Sequence, residues 1–300
     1  MIRIESIYSS LGSLSETNAD IAEIVGWSAD DILKKTGIKK RFISSNDETS
    51  ESLGLNATRK IHKDVLSNCD LIISVSNTQS NDFPTIAHFV HSELGLSHRV
   101  KCIGINAGCT GFVDAVELVY SLFSSDFYKQ ALIINSDTYS KYINNDRSTR
   151  TLFSDGSSVS IIVKDPNGFK IEKKISSSAS GTYENLIKKE FDGERLIKMN
   201  GPKVLQFAMS TVKKDLMQII NKHDEYTLFP HQAGKIVLDA LERNLPKNIK
   251  IFNNYESYGN LVSASIPNLI RENFKELNKN KIILSGFGVG LSHNALILQK

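Results

Sequence analysis

Cys109 stands in NAGCTG, flanked by Gly108 and Gly111, where an apolar strand-like run (residues 100–105) gives way to a helix-like run through Val113, Val116, Leu118 and Val119. A sulfur at a helix N-terminus faces unpaired amides and the positive end of the helix dipole, which favours its thiolate. A thiolate makes and breaks thioesters, and that chemistry needs donors for the oxyanion that develops at the carbonyl. His231, in FPHQAG just ahead of a helix-like run, and Asn260, in SYGNLVSASIP at a Gly-containing turn, are donors of that kind. Each residue also has a plain structural reading. Cys109 reads as a small buried residue, His231 as a turn or capping histidine, and Asn260 as a turn residue beside glycine. The three together single out acyl transfer.

The elements that must hold these residues alternate along the chain. Strand candidates fall at residues 70–75, 100–105, 131–135, 159–163, 281–285 and 295–298, short and almost continuously apolar, as in strands buried on both faces. Amphipathic helix candidates fall at 53–66, 111–123, 204–221, 234–241 and 263–274, and Ser28, Asp31 and Gly37 bracket a capped short helix. Strands separated by helices predict parallel crossovers in a layered α/β fold. The turn signal KDPNG (164–168) divides the chain into an N-terminal half, 1–165, carrying the cysteine, and a C-terminal half, 166–300, carrying the histidine and asparagine.

Composition narrows the function classes. The 300 residues are 40% hydrophobic and 23% charged, enough apolar matter for a sizeable core, and the formal net charge of +3 lacks the basic excess of a nucleic-acid binder. The three cysteines, Cys69, Cys102 and Cys109, form no CxxC pair, which predicts a reduced, cytoplasmic protein. No stretch has the length or apolarity of a signal peptide or a membrane span. Other motifs have structural readings. His88 and His91 share a helix face without a third metal ligand, GFGVG lacks GxGxxG spacing, and Asp155 reads as a turn residue; no metal and no cofactor are expected.

Taken together, TGIKKRFIS (36–44), NAGCTGF, LFSDGSS (152–158), MNG (199–201), PHQAG, YGNLVSASIP and GFGVGLSHNALIL (286–298) resemble the ketoacyl-acyl-carrier-protein synthase III family of the thiolase superfamily. The resemblance implies a five-layer αβαβα sandwich of two related halves, acting as a homodimer on acyl-carrier-protein or acyl-coenzyme A thioesters. It also implies that Cys109 is acylated, that His231 and Asn260 serve decarboxylation, and that the Cys109 and Val289 amides form an oxyanion hole. Phe83 would reach the neighbouring subunit's acyl pocket, Arg147 and Lys35 would contact coenzyme A, and Lys235 would lie beside the carrier-protein docking position, which is Ile236. The family's adenine-stacking tryptophan falls at Asp31, its pantetheine-contacting asparagines at Pro202 and Gly234, and the tryptophan of its GFG segment at His293.

The leading expectation is acyl transfer to Cys109 followed by decarboxylative Claisen condensation with a malonyl thioester. The rewritten coenzyme A wall leaves a second reading, acyl transfer from Cys109 to an amine or hydroxyl of a sugar or natural-product intermediate. A non-catalytic partner subunit is the third, opposed by the presence of all three reactive residues.

Overall fold

A computed structural model describes residues 1–300. Two five-stranded sheets form its frame. In the first, Ile2–Leu11, Gly156–Lys164, Gln130–Asp137, Leu71–Val75 and Lys101–Ile105 lie side by side in that order. In the second the order is Lys170–Ser178, Ser292–Gln299, Lys281–Gly288, Tyr226–Pro230 and Ile249–Ile251. Numbered along the chain within each sheet, both read first, fifth, fourth, second, third. The directions match as well: the second, third and fourth strands are parallel, and the fifth runs against its two neighbours.

The helices Gly111–Phe123 and Ser265–Glu272 pack between the sheets. Phe112, Val113, Val116, Ile266, Leu269 and Ile270 join Ile73, Ile133 and Ile162 of the first sheet and Ile282, Leu284 and Leu296 of the second in one core. Each outer face has its own helical cover. Leu55, Ile86 and Val90 lie over the first sheet, and Leu216, Val237 and Leu241 over the second. Helix, sheet, helix, sheet, helix is the thiolase-like sandwich. Gly111–Phe123 is apolar over much of its surface because sheets cover it from two sides, whereas Ser265–Glu272 is amphipathic and ends on Arg271 and Glu272.

Several expected elements differ. The expected 53–66 helix is two helices, Ser50–Thr58 and Lys63–Ser67. The Thr58 hydroxyl bonds back to the Gly54 carbonyl at 2.8 Å, and the His62 ring caps the second helix. The expected 204–221 helix begins at Gly201 and passes through a π-helical segment, Ala208–Val212. The Lys101–Ile105 strand, expected to be fully buried, sits at a sheet edge with its residues half-buried or exposed. The strands Ile2–Leu11 and Lys170–Ser178 and the hairpin Leu186–Phe191/Glu194–Met199 have no counterpart in the expected set, because their polar residues interrupt the apolar runs.

Candidate active site

In an α/β sheet, ligands gather beyond the carboxyl ends of the parallel strands, and the expected residues sit there. Cys109 follows the third strand of the first sheet on a single 3₁₀ turn, Gly108–Thr110, that leads into Gly111–Phe123. Asn260 follows the third strand of the second sheet, ahead of Ser265–Glu272, and His231 follows its second strand. Val289 follows its fourth. Cys109, His231 and Asn260 line one cavity of ≈ 80 Å³, otherwise walled mainly by Leu152, Phe153, Leu186, Val204, Val237 and Phe287.

Backbone anchors set the geometry. The His231 amide donates to the Ser285 carbonyl at 2.8 Å, and the Phe287 ring meets the imidazole edge-on at 5.6 Å. Asn260 is held on both sides by the segment before Asp155: its amide donates to Leu152 O and its carbonyl accepts from Ser154 N, each at 2.9 Å. Asn260 Oδ1 accepts from the Val262 amide at 2.9 Å, which fixes which end of the carboxamide is nitrogen. Nδ2 therefore faces His231 Nε2, 3.3 Å away.

Gln232, quoted within PHQAG but given no role there, ties the two turns together. Its Nε2 donates to Pro230 O at 2.9 Å, while its Oε1 accepts from the amides of Asn254 and Tyr255 at 2.8 and 3.2 Å. It is fully buried, so its satisfied amide fixes the loop that leads to Asn260.

Burial governs the ionisation. Cys109 is 3% exposed. Loss of solvent pushes its thiol up to about 12, helped by the buried Asp137 carboxylate and opposed by the Val289 and Cys109 amides. The expected stabilised thiolate is thus corrected: loss of solvent at this buried site raises the thiol. Burial likewise pushes His231 down to about 3, opposed in part by the Val262 backbone. On these shifts the Cys109 thiol and the His231 imidazole are both neutral at pH 7. Asp137, missed in the sequence, accepts from Ser263 Oγ at 2.6 Å and Asn77 N at 2.8 Å, and burial raises it to about 6.

Glycine is required at two points. At Gly288 (φ +155°) a Cβ would lie 3.0 Å from Cys109 Sγ, and at Gly108 (φ +55°) one would lie 2.4 Å from Asn77 Oδ1.

The remaining expected residues lie away from this cavity. Phe83 is 84% exposed on a loop. Lys35 and Arg147 flank the Trp27 ring, at 4.8 and 5.4 Å from its centroid, and Arg147 Nε donates to Val25 O at 2.6 Å. An aromatic therefore does stand beside these cations, from four residues ahead of Asp31, whose carboxylate instead accepts from Ser28 Oγ at 2.7 Å. Lys235 pairs with Asp239 at 2.7 Å. His293 is buried, bonded to Asp215 Oδ2 at 2.8 Å and to Ser285 Oγ at 3.1 Å, and so braces the strand that receives the His231 amide. His88 and His91 bond to Thr85 and to the Ser97 carbonyl, and Asp155 accepts from the Ser44 and Ser140 amides.

Two family models, the N-terminal and C-terminal regions of 3-oxoacyl-[acyl-carrier-protein] synthase III, match residues 103–181 and 219–300. Proteins named beta-ketoacyl-[acyl-carrier-protein] synthase III from Clostridium perfringens and Streptococcus agalactiae are 33% and 31% identical, each over 94% of both chains. The chain belongs to the 3-oxoacyl-[acyl-carrier-protein] synthase III family. It is a ketoacyl synthase of the fatty acid biosynthesis type. The solved synthase III structure from Aquifex aeolicus superposes with a TM-score of 0.89 at 27% identity, covering all of both chains. Synthase III membership agrees with the sandwich and its two matching sheets. No helix is long and apolar enough to cross a membrane.

Proposed function

We propose that this synthase III acylates Cys109 from a thioester donor and then condenses the acyl group with a malonyl thioester, with loss of carbon dioxide. The observation that carries this is the anchored carboxamide of Asn260, whose Nδ2 meets His231 Nε2 in the cavity that Cys109 lines.

In the first step the Cys109 sulfur attacks the donor carbonyl, and its proton leaves with the departing thiol. The Cys109 and Val289 amides, both directed at the sulfur, hold the oxyanion. In the second, the malonyl carbon–carboxylate bond breaks and its electron pair becomes an enolate on the thioester oxygen. An oxygen between His231 Nε2 and Asn260 Nδ2 replaces their loose 3.3 Å contact and accepts from Nδ2 and, with the neutral imidazole carrying its proton on Nε2, from His231 as well. Neutral donors in a dry pocket suit this step, because a protonated imidazole would hand its proton to the enolate and quench it. The enolate carbon attacks the acyl carbonyl, and collapse expels Cys109 as a thiolate, which takes up a proton from solvent.

Trp27, Lys35 and Arg147 form an aromatic, cationic rim for a nucleotide-bearing donor, and Lys235 and its neighbours an entrance for an acidic carrier protein. The free edge of Lys101–Ile105 and the exposed Phe83 support a homodimer, with the two halves joined near residue 165. A cytoplasmic setting accords with the three free cysteines.

The test is intact-mass spectrometry after incubation with acyl-coenzyme A and acyl-carrier-protein donors, followed by challenge with malonyl-carrier protein or with amines and alcohols. The proposal predicts an acyl adduct on Cys109 discharged by the malonyl thioester with release of carbon dioxide. Discharge only by an amine or alcohol would instead establish simple acyl transfer.

A further inference from the structure

A second cavity, ≈ 490 Å³, lies behind the turn that carries Cys109. Asn77, Tyr139, Leu186 and Val289 form its wall toward the nucleophile. Gly108 abuts Asn77 and Val289, and Leu186 lines both cavities. Gly108, Asn77 and Val289 thus separate this space from the Cys109 turn, and Leu186 faces both cavities.

The lining is not that of a hydrocarbon pocket. Lys188, on the Leu186–Phe191 strand, brings a half-buried ammonium group to the cavity. No carboxylate lies within ion-pairing distance of it: its ammonium donates to the Asn77 carbonyl and stands 4.5 Å from the centre of the Tyr142 ring. Arg195, also in the lining, has only a 3.7 Å contact with Asp82, and both of those side chains are largely in solvent. Partly burying a cation without a counter-ion is unfavourable, and a bound anion removes the cost. Burial, with Arg195 nearby, pulls the Lys188 amine down, and the more distant Asp137 and Asp82 carboxylates offset this only in part, so a bound anion would act in their direction at closer range.

We infer that the acyl group loaded onto Cys109 comes from a short dicarboxylic acid, its free carboxylate held by Lys188. This rests on acylation of Cys109 as proposed above and names its substrate class. The loading step is unchanged: the donor thiol leaves with the Cys109 proton, and the distal carboxylate does not react.

The experiment compares rates of Cys109 labelling, by intact mass, from succinyl- and glutaryl-coenzyme A and from their uncharged isosteres, 4-methylpentanoyl- and 5-methylhexanoyl-coenzyme A, with acetyl-coenzyme A as reference. At least one dicarboxylic donor should label roughly tenfold or more faster than its isostere. Lys188→Met should erase that preference while leaving acetyl labelling intact, and Lys188→Arg should retain most of it. Equal or faster labelling by both isosteres, or an unchanged ratio in Lys188→Met that still takes acetyl, would overturn the inference. Absence of labelling from every donor, acetyl included, would overturn the acylation step itself.

Discussion

The strand-end turns of the two halves occupy matching places in matching sheets, yet they present different functional groups. After the third strand of the first sheet stands the thiol of Cys109, and after the third strand of the second stands the carboxamide of Asn260. Burial acts on both sides in one sense, raising the thiol of Cys109 and lowering the imidazole of His231. The difference from a thiolate–imidazolium pair, where each charge stabilises the other, is that here both partners stay neutral. A single dry cavity can therefore keep a poor nucleophile in reserve and a neutral donor ready for the enolate.

The largest way to break this comparison is through Cys109 alone. With a thiol at about 12 against ~8.5 for a free one, the thiolate fraction at pH 7 should be lower by roughly three to four decades. Iodoacetamide alkylation followed by mass spectrometry should therefore be slow at pH 7 and keep climbing about tenfold per pH unit beyond pH 9. A plateau near pH 7 would show a resting thiolate. Next in size is Gly288→Ala, which sets a Cβ 3.0 Å from the sulfur at a positive φ. A loss of ~1–3 kcal/mol there corresponds to acylation slowed about 5- to 150-fold, read by the same labelling assay.

On the donor side, His231 in the folded chain titrates below its unfolded value, so the unfolded chain takes up the proton first as pH falls. Its contribution to stability is present above about pH 6.5 and is lost as pH falls toward 3. Urea denaturation from pH 7 to 4 should show His231→Gln losing less stability than the native chain. The smallest effect belongs to Gln232→Leu, which removes the tie between the His231 turn and the Asn254–Tyr255 backbone. Condensation should fall by about tenfold with acylation unaffected, on the scale of one buried hydrogen-bonding group.

The sequence made the corners legible where backbone demands restrict residue type. Glycines around Cys109, and a carboxamide beside Gly259, announce tight turns whatever the fold. The alternation of apolar runs disclosed a layered α/β fold, while the sandwich of two sheets was implied by the family resemblance. Two things were hidden. Lys188 lies in LIKKEF, an exposed-looking hairpin strand whose meaning depends on the cavity beneath it, and Trp27 reaches Lys35 and Arg147 from outside its expected position. The thiol's ionisation was misread because helix-end polarity is visible in sequence, whereas complete burial is a property of the assembled layers.

The most direct measurement separates the two turns: single-turnover release of labelled carbon dioxide from a malonyl thioester by acyl-Cys109 enzyme, in the native chain, His231→Ala and Asn260→Ala. Each variant should still form the acyl-enzyme, yet release carbon dioxide about two to three decades more slowly. Release at the native rate from either acylated variant would contradict the shared-oxygen geometry on which the account stands.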